Sequence, residues 1–417
     1  MKVAITKSSL YQILLILCVT IPNFREYEIV FGIWIIAIFF TLRKTYGRAV
    51  IKYMLPFIVI LILATIVGIL HDYKIYSMIR DFTYLLKPIL GLLLGYQLFR
   101  NSETNHFNKL IYAGVVLSIG HLLTIAIGIL FFGIRSMIDL RYFAGYFSDY
   151  EVCILILLLF HKKFEINIPK KRLYLFILIV GMSSFLYLAR THFILFGLLI
   201  LALKGYFIFS KKNIIIMSSF ILFFSISFAV LSAFNPRRDA KGIEALLYKI
   251  KNSPNEAFKT KVDIHDWKDL NDNYRSHENI VTIRQVSNDG IGAVLFGKGI
   301  GSTVDLKTEI WLQSSLMRYI PILHSSFMTV FLKTGLLGIL FLFVSMRVFF
   351  VNKKSKKPMI RNINFILVGM GVYLIVSNWV SLGLYFATDS KSIFIGFLLA
   401  YRLYLEKNQN EPEIVSE

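Results

Sequence analysis

The sequence predicts an all-α integral membrane protein, with about twelve transmembrane helices and one long external loop before the last three. Three observations predict it. Of 417 residues, 56% are hydrophobic and only 17% charged, against roughly 25% charged in an ordinary soluble domain. Uncharged stretches recur along most of the chain, each near the ~20 residues that cross about 30 Å of hydrocarbon. The cations also alternate between connections. With the N-terminus in the cytoplasm, the connections on that side carry 24 Lys+Arg and the short external ones 7, which is the asymmetry that orients membrane proteins. A soluble enzyme, a disordered chain and a disulfide scaffold are excluded.

The apolar windows run approximately over 8–22, 28–42, 53–70, 82–99, 110–132, 142–160, 173–189, 192–209, 213–234, 323–350, 362–385 and 392–405. The first follows a basic start, and Pro22-Asn23 stands where a signal peptide would need small residues for cleavage, so it reads as an uncleaved span. Only Arg190 and Thr191 separate the seventh and eighth. The organisation is then nine helices over 1–234, an external loop over 235–322, three helices over 323–405 and a cytoplasmic tail over 406–417. The loop carries 13 basic and 11 acidic residues. Its Trp267, Tyr274 and Trp311, with helix-compatible stretches at Gly242–Lys251 and Glu278–Ser287, predict short helices over the outer mouth of the bundle. The net charge of +21 is thus a topology signal beside anionic lipid, and no nucleic-acid partner is expected. Cys18 and Cys153 lie in apolar surroundings and read as small buried hydrophobes. No internal repeat points to an inverted-repeat transporter.

Charges in or beside apolar windows are informative, because each costs at least about 2.5–3.5 kcal/mol in hydrocarbon. Asp149 and Glu151 fall inside the sixth window. Lys333 lies nine residues beyond His324, which on a helix is about 13 Å deeper and half a turn round. Taken singly, an interfacial Arg snorkels, a His at a helix start caps it, and Lys87 and Lys333 pair with carboxylates. Taken together, Lys87, Arg141, Arg190 and His324 map to one side of the membrane. Such a cluster suits an anionic, phosphate-bearing substrate, since Arg grips phosphate oxygens bidentately and His is the usual general base near neutral pH. Asp263, Asp266, Asp269 and Asp272 recur every third residue without the glycine or terminal glutamate of a calcium loop. Gly297-Lys298-Gly299-Ile300-Gly301-Ser302 is no nucleotide fingerprint. It reads as a tight external turn whose backbone N–H groups are available to a phosphate. Neither metal nor cofactor is expected.

Four segments carry a family resemblance. Arg141-Tyr-Phe-Ala-Gly145-Tyr-Phe-Ser-Asp149 is similar to a Gly-x-Phe segment entering a span. Leu188-Ala189-Arg190-Thr191 is similar to a Ser-Arg-Ser/Thr motif, with Ala189 in place of Ser. Leu295 to Ser302 resembles a Gly-x-Gly turn within the external loop. The fourth segment, from His324 through Gly335 to Gly338, resembles a His-Asn-x-x-Leu…Glu-x-Gly-x-x-Gly signature, with Ser325 for Asn and Lys333 for Glu. With the late external loop, these resemble the O-antigen polymerase and O-antigen ligase superfamily, the Wzy-type glycan assembly enzymes. That family also places an Arg in the loop before the turn. Arg275 and Arg284 bracket the position, and the sequence does not choose between them.

The resemblance implies metal-independent, inverting glycosyl transfer at the outer face of a bacterial inner (plasma) membrane, with both termini cytoplasmic. The donor would be a glycan on undecaprenyl diphosphate. Arg190 and a loop Arg would neutralise the diphosphate leaving group, and His324 would take the proton of the acceptor hydroxyl. Arg141, Lys87, Gly297 and Gly299 are the further candidates for contacts to diphosphate or glycan. A polymerase joining lipid-linked repeat units is expected first, served by flippase and chain-length regulator proteins, with a ligase acting on lipid A-core or another acceptor as the alternative. A flippase or transporter of lipid-linked oligosaccharide is the reading of a different class. It needs a polar path into the cytoplasmic half, whereas these charges lie mainly in the outer half.

Overall fold

The computed structural model describes residues 7–24, 27–100, 106–145, 148–240, 243–312, 315–350 and 357–408. Tyr146 and Phe147 of the first motif, Gly242, and residues 409–417 of the expected tail lie outside them. The chain is mostly helical. It opens with α1 (Lys7–Thr20), α2 (Tyr27–Phe40), α3 (Arg48–Ile69), α4 (Ile75–Arg100) and α5 (His106–Leu130). The short α6 (Met137–Ala144) and α7 (Asp149–Leu159) lead into α8 (Lys170–Leu186), α9 (Arg190–Leu203) and α10 (Lys211–Phe234). The segment expected as a loop contains α11 (Ile243–Phe258), α12 (Trp267–Asp272), α13 (Tyr274–Asn288), α14 (Ile291–Phe296), and strands β1 (Val304–Leu312) and β2 (Ser315–Ile320). The chain closes with α15 (Ser326–Met346), α16 (Pro358–Val380) and α17 (Lys391–Lys407).

Each apolar window coincides with helix, but the helices are not equally long. Among the described residues, six are long and apolar enough to cross a membrane: α3, α4, α5, α10, α15 with the 3-10 turn that extends it to Phe350, and α16. The other windows hold shorter helices, of 11 to 17 residues. At 1.5 Å per residue these reach about 17–26 Å, so helix length carries six crossings.

Three expectations are corrected. The sixth window is not one helix, because α6 stops at Gly145, whose φ of 110 leaves the helical region. The chain then restarts at α7 with Asp149 and Glu151 in its first turn. Acidic side chains favour a helix N-terminus, where the peptide dipoles leave partial positive charge, so these residues begin a helix instead of lying in the middle of one. The second correction is at Gly335, which interrupts α15 (φ 63, ψ −158). The third concerns the loop: besides short helices it contains an antiparallel hairpin, β1 on β2, with Val304 opposite Ile320 and Leu312 opposite Ser315. Its register shifts between Asp305 and Ile310, where Lys307 takes a positive φ of 63, the mark of a bulge.

One apolar core runs through the bundle, from Leu15 and Cys18 in α1 to Phe394 and Phe397 in α17. Small residues allow its tightest packing. A Cβ at Gly95 of α4 would strike the Ile393 carbonyl, and one at Gly396 of α17 would strike that of Leu92, so these helices touch backbone to backbone. A second core joins the loop to the first half of α15 through Val281, Val286, Leu306, Met328 and Leu332. Three hydrogen bonds hold α13 against β1: His277 to the Leu306 carbonyl (2.8 Å), Gln285 to the Thr303 carbonyl (2.8 Å), and the Asp305 N–H to Gln285 (2.9 Å). Trp379 of α16 stacks on Phe258 and donates its indole N–H to the Ala257 carbonyl (3.1 Å). The loop is thereby a fitted cap on the ends of α15 and α16.

Candidate active site

The site is built where this cap meets α15. Ser325 is the N-cap of α15, its hydroxyl accepting the Met328 N–H at 3.3 Å. Serine and asparagine cap helices about equally well, so Ser325 keeps the helix start intact. His324 stands just before this cap and is 45% exposed, while Glu278 of α13 is 1% exposed. The Glu278 carboxylate accepts the His324 backbone N–H at 3.0 Å and meets its Nδ1 at 3.0 Å. A carboxylate accepts only. Nδ1 must therefore carry the proton, which leaves Nε2 with its lone pair on the opposite side of the ring. Tyr274, one turn before Glu278, sets its ring edge-on to the imidazole at 5.5 Å. Burial and the Glu278 charge push its phenol well above its ordinary pKa, so it stays a neutral wall.

His324 opens onto a cavity of about 270 Å³, lined also by Glu256, Trp267, Tyr274, Arg275 and Trp311. Of the two loop arginines, Arg275 is the one that lines this cavity. Arg275 meets Glu256 Oε1 at 2.8 Å. Arg190 meets the other oxygen, Oε2, at 2.8 Å, and donates to Ser253 Oγ at 2.6 Å and the Lys249 carbonyl at 3.0 Å. Two guanidinium groups from distant parts of the chain thus grip one carboxylate at the wall of the His324 cavity. Arg284 is exposed on α13, nine residues from Arg275, which puts it half a turn round and about 13 Å along. Before Arg190 the backbone passes through Leu188 at φ 47, a costly conformation for a large side chain. Such strain is kept where the fold needs a particular exit direction, here the one that aims Arg190 at the cap.

The other predicted residues lie elsewhere. Arg141 is on α6, away from the lining of the His324 cavity. Lys87 donates to the carbonyls of Phe386 and Asp389, the latter at 2.7 Å, and lies over the Trp34 ring at 5.1 Å. Its ammonium therefore clamps the connection between α16 and α17. It also edges an apolar groove of about 130 Å³ between α2 and α4, walled by Phe31, Trp34, Tyr84, Leu382 and Ile322, of which Ile322 stands two residues before His324.

The Gly297–Ser302 turn does not offer free amides. The N–H groups of Lys298 and Gly299 donate to the Leu332 and Lys333 carbonyls (2.8 and 3.0 Å), that of Ile300 to Ala64 (2.9 Å), and that of Gly301 to Asp81 Oδ2 (2.7 Å). A Cβ at Gly297 would run into the Thr334 backbone, and one at Gly299 into Gly68. The turn is a wedge between α3 and the break in α15. Lys333 secures it, bonding Asp81 and the Ser302 carbonyl at 2.5 Å each, a fully buried ion pair whose charges offset each other.

Glu278, Glu256 and Asp81 were not singled out by the sequence. Glu278 and His324 are 46 residues apart, so no local spacing links them. The aspartate repeat is spent structurally: Asp266 caps α12, Asp269 pairs with Lys259, and Asp272 pairs with Arg238 at 2.7 Å. In comparisons with known proteins, no protein-family model and no curated protein matches this chain.

Proposed function

We propose that the protein is a membrane-embedded polysaccharide polymerase, which transfers a glycan from a polyprenyl diphosphate to a second lipid-linked unit at the outer membrane face. The observation that carries this reading is His324 held by buried Glu278 at the mouth of an arginine-walled cavity. In the mechanism, His324 Nε2 takes the proton of the acceptor hydroxyl as its oxygen attacks the anomeric carbon from the face opposite the diphosphate. The bond from that carbon to the phosphate oxygen breaks with its electron pair, and the diphosphate leaves. Arg275 and Arg190 face that developing charge, where fixed cations contribute most. A diphosphate entering the cavity competes with Glu256 for both guanidinium groups. The apolar groove beside Ile322 is the place for the first prenyl units.

The test is complementation of a deletion strain with wild type, His324→Ala or Arg190→Ala at matched membrane levels, reading surface polysaccharide length. Loss of long chains, with single units still attached to their acceptor, is the expected result. Lipid-linked polymer accumulating beside bare acceptor would replace the polymerase by a ligase. Wild-type polymer from both variants would remove the catalytic assignment.

A further inference from the structure

A second polar cleft opens on the opposite face of the bundle. α9 starts at Arg190 beside the His324 cavity and runs 14 residues away from it, about 21 Å. α16 ends beside the start of α15, where the Ser325 hydroxyl donates to the Asn378 carbonyl at 3.1 Å. It begins 23 residues earlier, about 34 Å away. Where those far ends meet there is a cleft of about 560 Å³, lined by Lys162, Lys163, Lys204 and Arg361, with Glu165 as its one acidic residue.

The cations have little to balance them. Lys163 donates to the Leu203 carbonyl at 2.6 Å, and its pKa is lowered by burial and by the nearby charges of Arg361 and Lys204. Among the described residues, Lys162, Lys204 and Arg361 form no ion pair. The first turn of α16, which Pro358 opens, adds the partial positive charge of a helix N-terminus to the field. The walls are preformed. Asn213 bonds the Gly205 and Ile208 carbonyls at 2.9 Å each, and Asn362 bonds the Lys163 carbonyl at 2.7 Å. An apolar slot formed by Ala202, Phe207 and Val368 shares Gly205, Ile208 and Phe365 with the cleft.

We propose that this cleft binds the phosphate headgroup of an anionic lipid, with the start of an acyl chain lying over the small apolar slot at its rim. Four crowded cations against one carboxylate, beside a helix N-terminus, select phosphate. The apolar slot at the same rim selects a lipid over a free anion. The proposal is independent of the glycosyl-transfer reading, because it concerns the other face and a different ligand.

Full-length delipidated protein titrated with phosphatidylglycerol or phosphatidylethanolamine, with bound lipid counted by native mass spectrometry, tests it. Wild type is expected to prefer phosphatidylglycerol. Arg361→Gln, Lys204→Gln and Lys162→Gln should each weaken that binding about fivefold, while Lys170→Gln, outside the cleft, leaves it unchanged. All three side chains are exposed, so neutralising them removes no buried contact, and each single variant is read separately. Equal binding of the two lipids, or variants that behave as Lys170→Gln does, would overturn the proposal. Inorganic phosphate that stabilises wild type but not Arg361→Gln, without any lipid preference, would assign the cleft to a free anion and overturn the lipid.

Discussion

Glu278 is the residue on which the chemistry of His324 turns. Its carboxylate accepts hydrogen bonds from both the backbone N–H and the Nδ1–H of His324, which is what leaves Nε2 able to accept. In Glu278→Gln, the amide has an NH₂ group to donate to Nδ1, so the ring is driven to the tautomer with its proton on Nε2. If His324 is the base of a glycosyl transfer, Glu278→Gln should slow elongation of lipid-linked repeat units by about 10²–10⁴-fold, measured with purified protein. The two residues would then act as one unit, so adding His324→Ala to that background should cost little more. Full additivity of the two losses would show that they do not work together. His324 was legible in the sequence because a lone polar residue at the edge of an apolar stretch stands out. Glu278 was not, since an acidic residue in a loop of 13 basic and 11 acidic residues carries no mark of its own until folding brings it 3.0 Å from the imidazole. Arg275 and Arg284 were inseparable by spacing, and became distinct only because α13 turns one to the cavity and the other away.

Among the elements, hydropathy placed the helices well, because a buried or lipid-facing helix must be apolar over its whole length. It failed where the backbone changes direction inside an apolar run, at Gly145 and Gly335, since a window average smooths over a single positive-φ residue. It also failed at the hairpin, whose stability comes from packing on α13 and from ion pairs that no periodicity announces. Those ion pairs make the cap sensitive to acid. The Asp305 carboxyl is held well below its ordinary pKa by hydrogen bonds from Arg318 at 2.8 Å and from Lys307, against a smaller effect of burial. For Asp272, burial pushes upward, but the hydrogen bonds and charge of Arg238 prevail and the net shift is downward. A carboxyl whose folded pKa is depressed stabilises the fold above its unfolded value near 4, and that contribution fades as the pH falls further. Below about pH 4 the cap should therefore loosen before the bundle does. Trp267 and Trp311 lie in the cap, so their fluorescence should change while far-UV helicity persists. Simultaneous loss of both signals would show that cap and bundle unfold together.

Across the whole molecule, the two polar clefts lie at opposite ends of the same helices. On the proposed reading, the His324 cavity takes its substrates from one side of the membrane and the cationic cleft lies toward the other. Connections on the cleft side carry the excess of Lys and Arg, and if that asymmetry orients this chain as it does other membrane proteins, the cleft side is the cytoplasmic one. The two native cysteines suit a direct test, because Cys18 and Cys153 are both almost fully buried and should stay silent toward polar maleimides. Lys268 is exposed in the cap beside the His324 cavity, and Lys212 is exposed at the start of α10, at the cleft end. α10 spans 24 residues, about 36 Å, enough to separate its ends by a bilayer. In cells stripped of their wall, a membrane-impermeant maleimide should label Lys268→Cys at once and Lys212→Cys only after permeabilisation. The reverse pattern would put the His324 cavity on the cytoplasmic side and end the outer-face polymerase. Immediate labelling of both would mean that no bilayer separates the two clefts, and the cation asymmetry would then need another cause than membrane topology.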